Sequence, residues 1–194
     1  MSTIVAVQKN GVACIAADSL TSFGETKQAA EFVLHSDKII QFEQKELLTH
    51  IGIVGSAAHQ IVLQSLMSKH PDLIDFSTRL TIFETLKNIH PILKEEYFLN
   101  SKEEQEDSYE TSRVDALVIN SYGIFGLYSL REVDQYSQFW AIGSGAEFAL
   151  GAMYSCYDML DSVQAIATSG IKAGATFDNS SAMPMTMNTV QLIS

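Results

Sequence analysis

Basic residues are scarce in this chain: 12 lysines and arginines stand against 23 aspartates and glutamates, for a formal net charge of −11. A surface of that sign repels phosphate backbones, which excludes a nucleic-acid partner. It favours solubility and shapes what enters any internal chamber. Cysteine is rarer still. Cys14 and Cys156 lie far apart with no metal-ligand spacing, so free thiols in a cytosolic core are expected, not a disulfide. The five histidines are scattered, with no HxxH pair, so neither a metal site nor a cofactor is read. No uninterrupted apolar run is long enough to span a bilayer. The N-terminus lacks the charged and continuous apolar regions of a signal peptide. The expectation is a cytoplasmic protein without a membrane partner.

What is present suits a packed globule. With 194 residues, 46% of them hydrophobic, the chain can bury most of its apolar surface without staples. No repeat or linker divides it, so residues 1–194 read as a single domain.

Two short apolar runs, Thr3–Val7 and Val12–Ala17, flank Lys9-Asn10-Gly11, and Asn-Gly between such runs is the strongest local hairpin signal. Residues 25–36 are polar and mixed, a loop with room for a short strand. Strands are expected over Asp37–Phe42 and Leu47–Val54, turned at Gln44-Lys45-Glu46. Ser56 is placed to cap a helix over Ala57–Ser68 that carries Ile61, Leu63, Leu66 and Met67, with Pro71 suiting its stop. A second helix is expected over Ser77–Phe98, with Leu80, Phe83, Leu86, Ile89, Ile92 and Leu93 at helical spacing and Pro91 kinking or dividing it. The apolar positions of these two helices exceed one buried stripe, which marks them as subunit contacts. Residues 101–112 are strongly acidic and read as a solvated loop. Strands follow at Val114–Ile119, Ile124–Tyr128 and Gln138–Ile142. Helices are expected over Ala146–Leu160 and, opened by Asp161, over Ser162–Gly174, with a last strand at Thr186–Ile193. Helix pairs set between groups of strands suit an α+β fold of two packed sheets with helices outside.

Ser2 sits directly behind the initiator methionine. Loss of Met1, which a small second residue permits, leaves one residue carrying both a hydroxyl and a free α-amine. Such a residue can be nucleophile and base at once. The run Ser2-Thr3-Ile4-Val5-Ala6-Val7, then Gly11, then Ala16-Ala17-Asp18-Ser19, resembles the opening of proteasome β-type subunits and of the bacterial ATP-dependent peptidase HslV. It is most similar to the small bacterial proteasome homologues described from β-proteobacteria. The resemblance covers essentially the whole chain, with a gap between Gly24 and Lys38, and implies a four-layer αββα sandwich.

On that resemblance Ser2 takes the place of the N-terminal nucleophile, which is Thr in most relatives. Serine supplies the same hydroxyl with less hindrance and without the rotamer-restricting methyl. Asp18 matches the family's buried carboxylate and Lys38, in Asp37-Lys38-Ile39, its lysine. An ammonium near the Ser2 amine disfavours its protonation, so the amine's pKa falls from about 7.7–8.0 towards neutrality. Asp18 keeps Lys38 charged and aimed. Gly55, in Ile53-Val54-Gly55-Ser56, matches the glycine whose N–H resembles an oxyanion donor; on its own it is a plain turn glycine. Gly143-Ser144-Gly145 alone is a weak glycine-rich loop, even a phosphate cradle. In the family's pattern Ser144 is the hydroxyl that orients the terminal amine. Asp178 and Ser181 keep the Asp-x-x-Ser spacing, although the glycine usual after that serine is Ala182 here. Ser22 and Ala57 match backbone positions that pair with an extended peptide. Ile53 matches a wall of the specificity pocket and, being apolar, suits uncharged side chains.

The resemblance implies a threonine-peptidase-type hydrolase acting on peptides and proteins, with Ser as nucleophile, inactive while Met1 is retained. It also implies a homo-oligomeric double ring of 12 or 14 subunits, with 14 preferred. No ATPase motif occurs, so folded substrates require a separate ATP-driven unfoldase. The rivals are a catalytically silent ring scaffold and a small-amide acylase on the same fold.

Overall fold

The computed structural model describes residues 2–101 and 108–193. In chain order a hairpin, β1 (Ile4–Lys9) and β2 (Val12–Asp18), is followed by a small hairpin, β3 (Thr21–Phe23) and β4 (Thr26–Gln28). Next come β5 (Ile39–Gln44), β6 (Leu47–Val54) and two helices, α1 (Ala57–Lys69) and α2 (Arg79–Glu95). Strands β7 (Asp115–Asn120), β8 (Gly123–Leu127), β9 (Val133–Tyr136) and β10 (Phe139–Ile142) lead into α3 (Ala146–Cys156) and α4 (Val163–Phe177), and β11 (Met185–Gln191) follows. One sheet has the order β10-β1-β2-β11; the other is the meander β5-β6-β7-β8-β9; pairing is antiparallel throughout.

Alternation along β1 explains the layering, because successive side chains of a strand point to opposite faces. Val5 and Val7 pack with Ala149 and Met153 of α3 and Ile166 and Ile171 of α4. Ile4 and Ala6 share the opposite face with Ile15 and Ala17 of β2, and there meet Leu117, Ile119 and Ile124 of the second sheet. A strand covered on both sides reads as a continuous apolar run, which is why this hairpin shows no polar alternation. The far face of the second sheet, through Ile51, Ile53, Val118 and Phe125, packs on Leu63 and Leu66 of α1 and Ile82, Leu86 and Ile89 of α2. The result is helices, sheet, sheet, helices: an α+β, αββα sandwich.

Several boundaries depart from the sequence expectation, each for a local reason. Helix α2 begins after Thr78, whose side chain and that of Thr81 form a reciprocal capping box, so Ser77 stays outside. Pro91 does not divide the helix: it runs on to Glu95, with Ile89 and Leu93 on either side of the proline both buried. Helix α4 is capped by Ser162, which accepts the Ala165 N–H at 3.2 Å, and not by Asp161. Helix α3 stops at Cys156 instead of Leu160. Strand β9 goes unannounced because only Val133 of its four residues is buried. The acidic stretch is not a freely solvated loop at its ends: Ser101, Thr111 and Ser112 are buried, and Glu110 pairs with Lys94 at 2.6 Å and His90 at 3.3 Å. Hydrogen bonds from Lys94 and then His90 hold the Glu110 carboxyl at about 2. Residues 102–107 of that stretch lie outside the described part.

Cys14 and Cys156 are free thiols, and burial pushes Cys14 up to about 12. Ile61, Leu80 and Phe83 of α1 and α2 are exposed. No helix among the described residues is long and apolar enough to cross a membrane.

Ile15, fully buried between the sheets, gives the first test of this layering. Ile15→Ala should lower the unfolding free energy by about 2–5 kcal/mol, measured by chemical denaturation. A loss under about 1 kcal/mol would contradict a tightly packed sheet-on-sheet core.

Candidate active site

The hairpin register brings the start of β1 beside the end of β2, with Ile4 opposite Ala17. Thr3 and Asp18 therefore meet: the Asp18 N–H donates to the Thr3 carbonyl at 3.1 Å, and the Thr3 N–H donates to Asp18 Oδ1 at 2.9 Å. Lys38, just before β5, reaches across from the other sheet and places Nζ 2.7 Å from the same oxygen. Asp18 Oδ2 accepts the N–H groups of Leu20 and Ala182, each at 3.1 Å. A fully buried carboxylate is thus met by four donors, as a charge removed from water must be. Ala182 fills the place of the usual glycine without breaking the loop, since its N–H serves Asp18 and its carbonyl accepts from Ser19 at 3.3 Å.

Burial pulls the Lys38 ammonium below the ordinary lysine range; the charge and hydrogen bond of Asp18 oppose that pull without cancelling it. The side chain keeps 12% of its surface exposed, so it is reachable from the cleft it borders.

Behind Ser2 stands a second carboxylate. Pairing of Ile4 with Ile142 sets the Gly143-Ser144-Gly145 turn over the start of β1. The Gly145 N–H donates to the Ser2 carbonyl at 3.3 Å. Gly143 has φ +94°, and a Cβ there would lie 2.1 Å from the Ser2 carbonyl oxygen, so only glycine fits. The Ser144 hydroxyl, 3.4 Å from that oxygen, has its shorter contact to Asp178 Oδ2 at 2.7 Å. Ser181 donates to the same carboxylate oxygen, also at 2.7 Å. Burial raises the Asp178 carboxyl, but hydrogen bonds from Ser181, Ser144 and the Ser180 backbone outweigh it and hold the group below the usual carboxylate range.

In front of Ser2 lies a cleft of about 940 Å³. Its lining brings Ser2 and Lys38 together with Gly55, Ser22, Ile53 and Ala57. Gly55 closes β6 at φ +102°, and Ser56 after it caps α1 by accepting the Ala58 N–H at 3.3 Å. The candidates therefore divide by position. Ser2, Lys38, Gly55, Ser22, Ile53 and Ala57 border the cleft, while Asp18, Ser144, Asp178 and Ser181 support the start of β1 from behind. Among the described residues no group of three or more histidine, cysteine or acidic side chains could hold a metal ion. Thr3 is the polar residue of this cluster that sequence reasoning passed over. Its only signal was a hydroxyl directly before the buried apolar run Ile4-Val5-Ala6-Val7. The backbone donors from Leu20 and Ala182 left no signal at all, because any residue type carries an N–H.

No protein-family model matches the sequence, and no curated protein matches it. Solved structures do. BPH from Thiobacillus denitrificans in complex with epoxomicin is 33% identical over 99% of this chain and 100% of that one, with a TM-score of 0.88. Another structure of the same protein gives 36% identity over 98% of each chain and a TM-score of 0.87. The chain therefore belongs to the proteasome-like family of N-terminal-nucleophile hydrolases. Within it, the bacterial BPH proteins are what it is similar to in both sequence and fold. HslV from Trypanosoma brucei (18% identity over 97% of this chain and 99% of that one, TM-score 0.70) and Anbu from Yersinia bercovieri (14% over 97% and 81%, TM-score 0.69) share the fold.

The depressed Asp178 carboxyl has a consequence in acid. Its folded-state pKa lies below the unfolded value, so its stabilisation is complete above the ordinary carboxylate range and is lost as pH falls through the depressed value. Asp178→Asn should be less stable than the parent at neutral pH, with the gap narrowing as the solution is acidified. Denaturation midpoints across that range check it; a gap independent of pH would contradict the assignment.

Proposed function

We propose that the chain is a self-compartmentalising peptidase whose nucleophile is Ser2, competent once Met1 has been removed. The observation that supports it most is the convergence on one residue. Ser2 borders the cleft together with the Lys38 ammonium, and its carbonyl is held beneath the Gly143–Gly145 turn. Met1 lies outside the described residues.

The chemistry follows from those placements. Freed of Met1, the Ser2 amine takes the hydroxyl proton, directly or through a water, as Oγ attacks the peptide carbonyl. The Lys38 ammonium disfavours a second positive charge beside it and so keeps the amine in its basic form. Asp18 holds Lys38 in place. The N–H of Gly55 is assigned to the oxyanion of the tetrahedral intermediate. The amine passes its proton to the departing peptide amine, leaving an acyl ester on Oγ, and then activates the water that releases it. Ser144, Asp178 and Ser181 orient the amine end of the residue. Ser22 and Ala57 pair with an extended peptide. Ile53 forms an apolar wall for an uncharged side chain, in keeping with Leu20, Ile39 and Ile61 around the same cleft.

Such an activity in the cytoplasm requires segregation. The exposed Leu80 and Phe83 supply apolar surface for subunit contacts in a double ring of six or, preferably, seven subunits per ring. Folded substrates need a separate ATP-dependent unfoldase. The full-length likeness to a BPH that was solved with epoxomicin also makes that compound the first probe to apply to Ser2.

The test is Lys38→Ala in protein lacking Met1. Peptidase activity should be abolished, while light scattering finds the same assembly as in the parent. Near-full activity in a well-folded Lys38→Ala protein would remove Lys38 from the mechanism, and a monodisperse monomer at micromolar concentration would remove the ring. A parent that assembles but cleaves nothing is the silent scaffold. One that cleaves only small acyl-amides is the acylase.

A further inference from the structure

We propose that Thr3 is the positioning residue of this site, tying the Asp18–Lys38 pair to the Asp178–Ser181 pair and so fixing Ser2 between them. The inference rests on the peptidase reading above. It concerns a residue to which neither the sequence nor that reading assigned a role.

Every polar group of Thr3 is used, and none meets solvent, since the residue is fully buried. Its N–H donates to Asp18 Oδ1 at 2.9 Å, the oxygen that also takes Lys38 Nζ at 2.7 Å. Its carbonyl accepts the Asp18 N–H at 3.1 Å. Its hydroxyl lies 2.7 Å from Ser181 Oγ. The direction of that last bond follows from counting protons. A hydroxyl has one, and Ser181 gives its own to the Asp178 carboxylate, which can only accept. Thr3 therefore donates to Ser181, and a directed chain runs from Thr3 through Ser181 to Asp178, which takes Ser144 on the same oxygen.

The surroundings are cut to this side chain. A Cβ added at Gly145 would fall 2.0 Å from Thr3 Oγ1, and one at Gly174 would fall 2.4 Å from Oγ1 and 2.6 Å from Cγ2. Two glycines from different elements thus form a slot for a β-branched residue, whose χ1 is already stiff. With residue 3 held at its amide, carbonyl and hydroxyl, the Cα of Ser2 one peptide away has little freedom. Its hydroxyl and amine are then aimed into the cleft at no cost in reorganisation during the reaction, the kind of alignment whose loss by about 1 Å slows catalysis about 10²-fold.

A hydroxyl that merely satisfies a buried site would affect stability alone. Thr3→Val, which keeps the branched shape, and Thr3→Ser, which keeps the hydroxyl, separate the two roles in protein lacking Met1 and assayed with a small peptide. Thr3→Val should lose about 10–100-fold in kcat with KM within about twofold, and Thr3→Ser should recover most of the lost rate. Where Thr3→Val does not fold, Thr3→Ala, which also lacks the hydroxyl, takes its place and should show the same kcat loss. Parental kcat in a folded variant that lacks the Thr3 hydroxyl overturns the positioning role alone. Failure of the parent to turn over any peptide overturns the peptidase reading, and this inference with it.

Discussion

The fully buried carboxylate of Asp18 is the constraint on which the rest of the structure turns. An uncompensated charge at that depth costs several kcal/mol, and removing one partner of a buried pair costs about 3–5 kcal/mol. The chain meets this with four donors drawn from separate places: Thr3 at the start of β1, Leu20 after β2, Lys38 before β5 and Ala182 before β11. One ionised group thereby ties the ends of the first sheet's two central strands to the entrance of the second sheet. The cleft opens where those segments meet. Stability and site geometry have a common origin here, because the contacts that neutralise Asp18 are the ones that place Lys38 and the first residues of β1.

Around that anchor the polar groups fall on two sides of Ser2. Lys38 and Ser2 border the cleft, whereas Asp178 and its two serines stand behind and face each other through short hydrogen bonds. The two carboxylates do different work. Asp18 accepts a cation and opposes the fall of the Lys38 pKa. Asp178 collects hydroxyls and orients the loop carrying Ser144. The glycine at 143 is required by space, with the Ser2 carbonyl occupying the volume a Cβ would need.

Much of this was legible in the residues. The Asn-Gly hairpin, the strand over Leu47–Val54 and the Ser56 cap follow from local chemistry, and each occurs where expected. Helix α2 was harder, because proline predicts a break only where nothing else holds the helix, and packing of Ile89 and Leu93 outweighs one missing N–H. Strand β9 was invisible, since a four-residue edge strand with one buried side chain carries no period. For the site, the family resemblance, carried over residue by residue, marked Asp18, Lys38, Ser144, Asp178 and Ser181. The spacing on which they were found says nothing of which carboxylate is dry, and nothing of the backbone donors. Thr3 was hidden by its neighbour: beside a residue that can be both nucleophile and base, the next hydroxyl before a buried strand looks like filler.

The central claim is that a free amine on Ser2 turns this fold into a peptidase. Turnover of a small peptide by two preparations, one retaining Met1 and one lacking it, each verified by intact mass, tests it most directly. An amide nitrogen does not accept protons near neutrality, and general-base help of this kind is worth about 10²–10⁴ in rate. The protein lacking Met1 should therefore be faster by a factor in that range, with a rate that rises with pH as the amine loses its proton and then levels. Equal turnover by the two preparations would contradict the account.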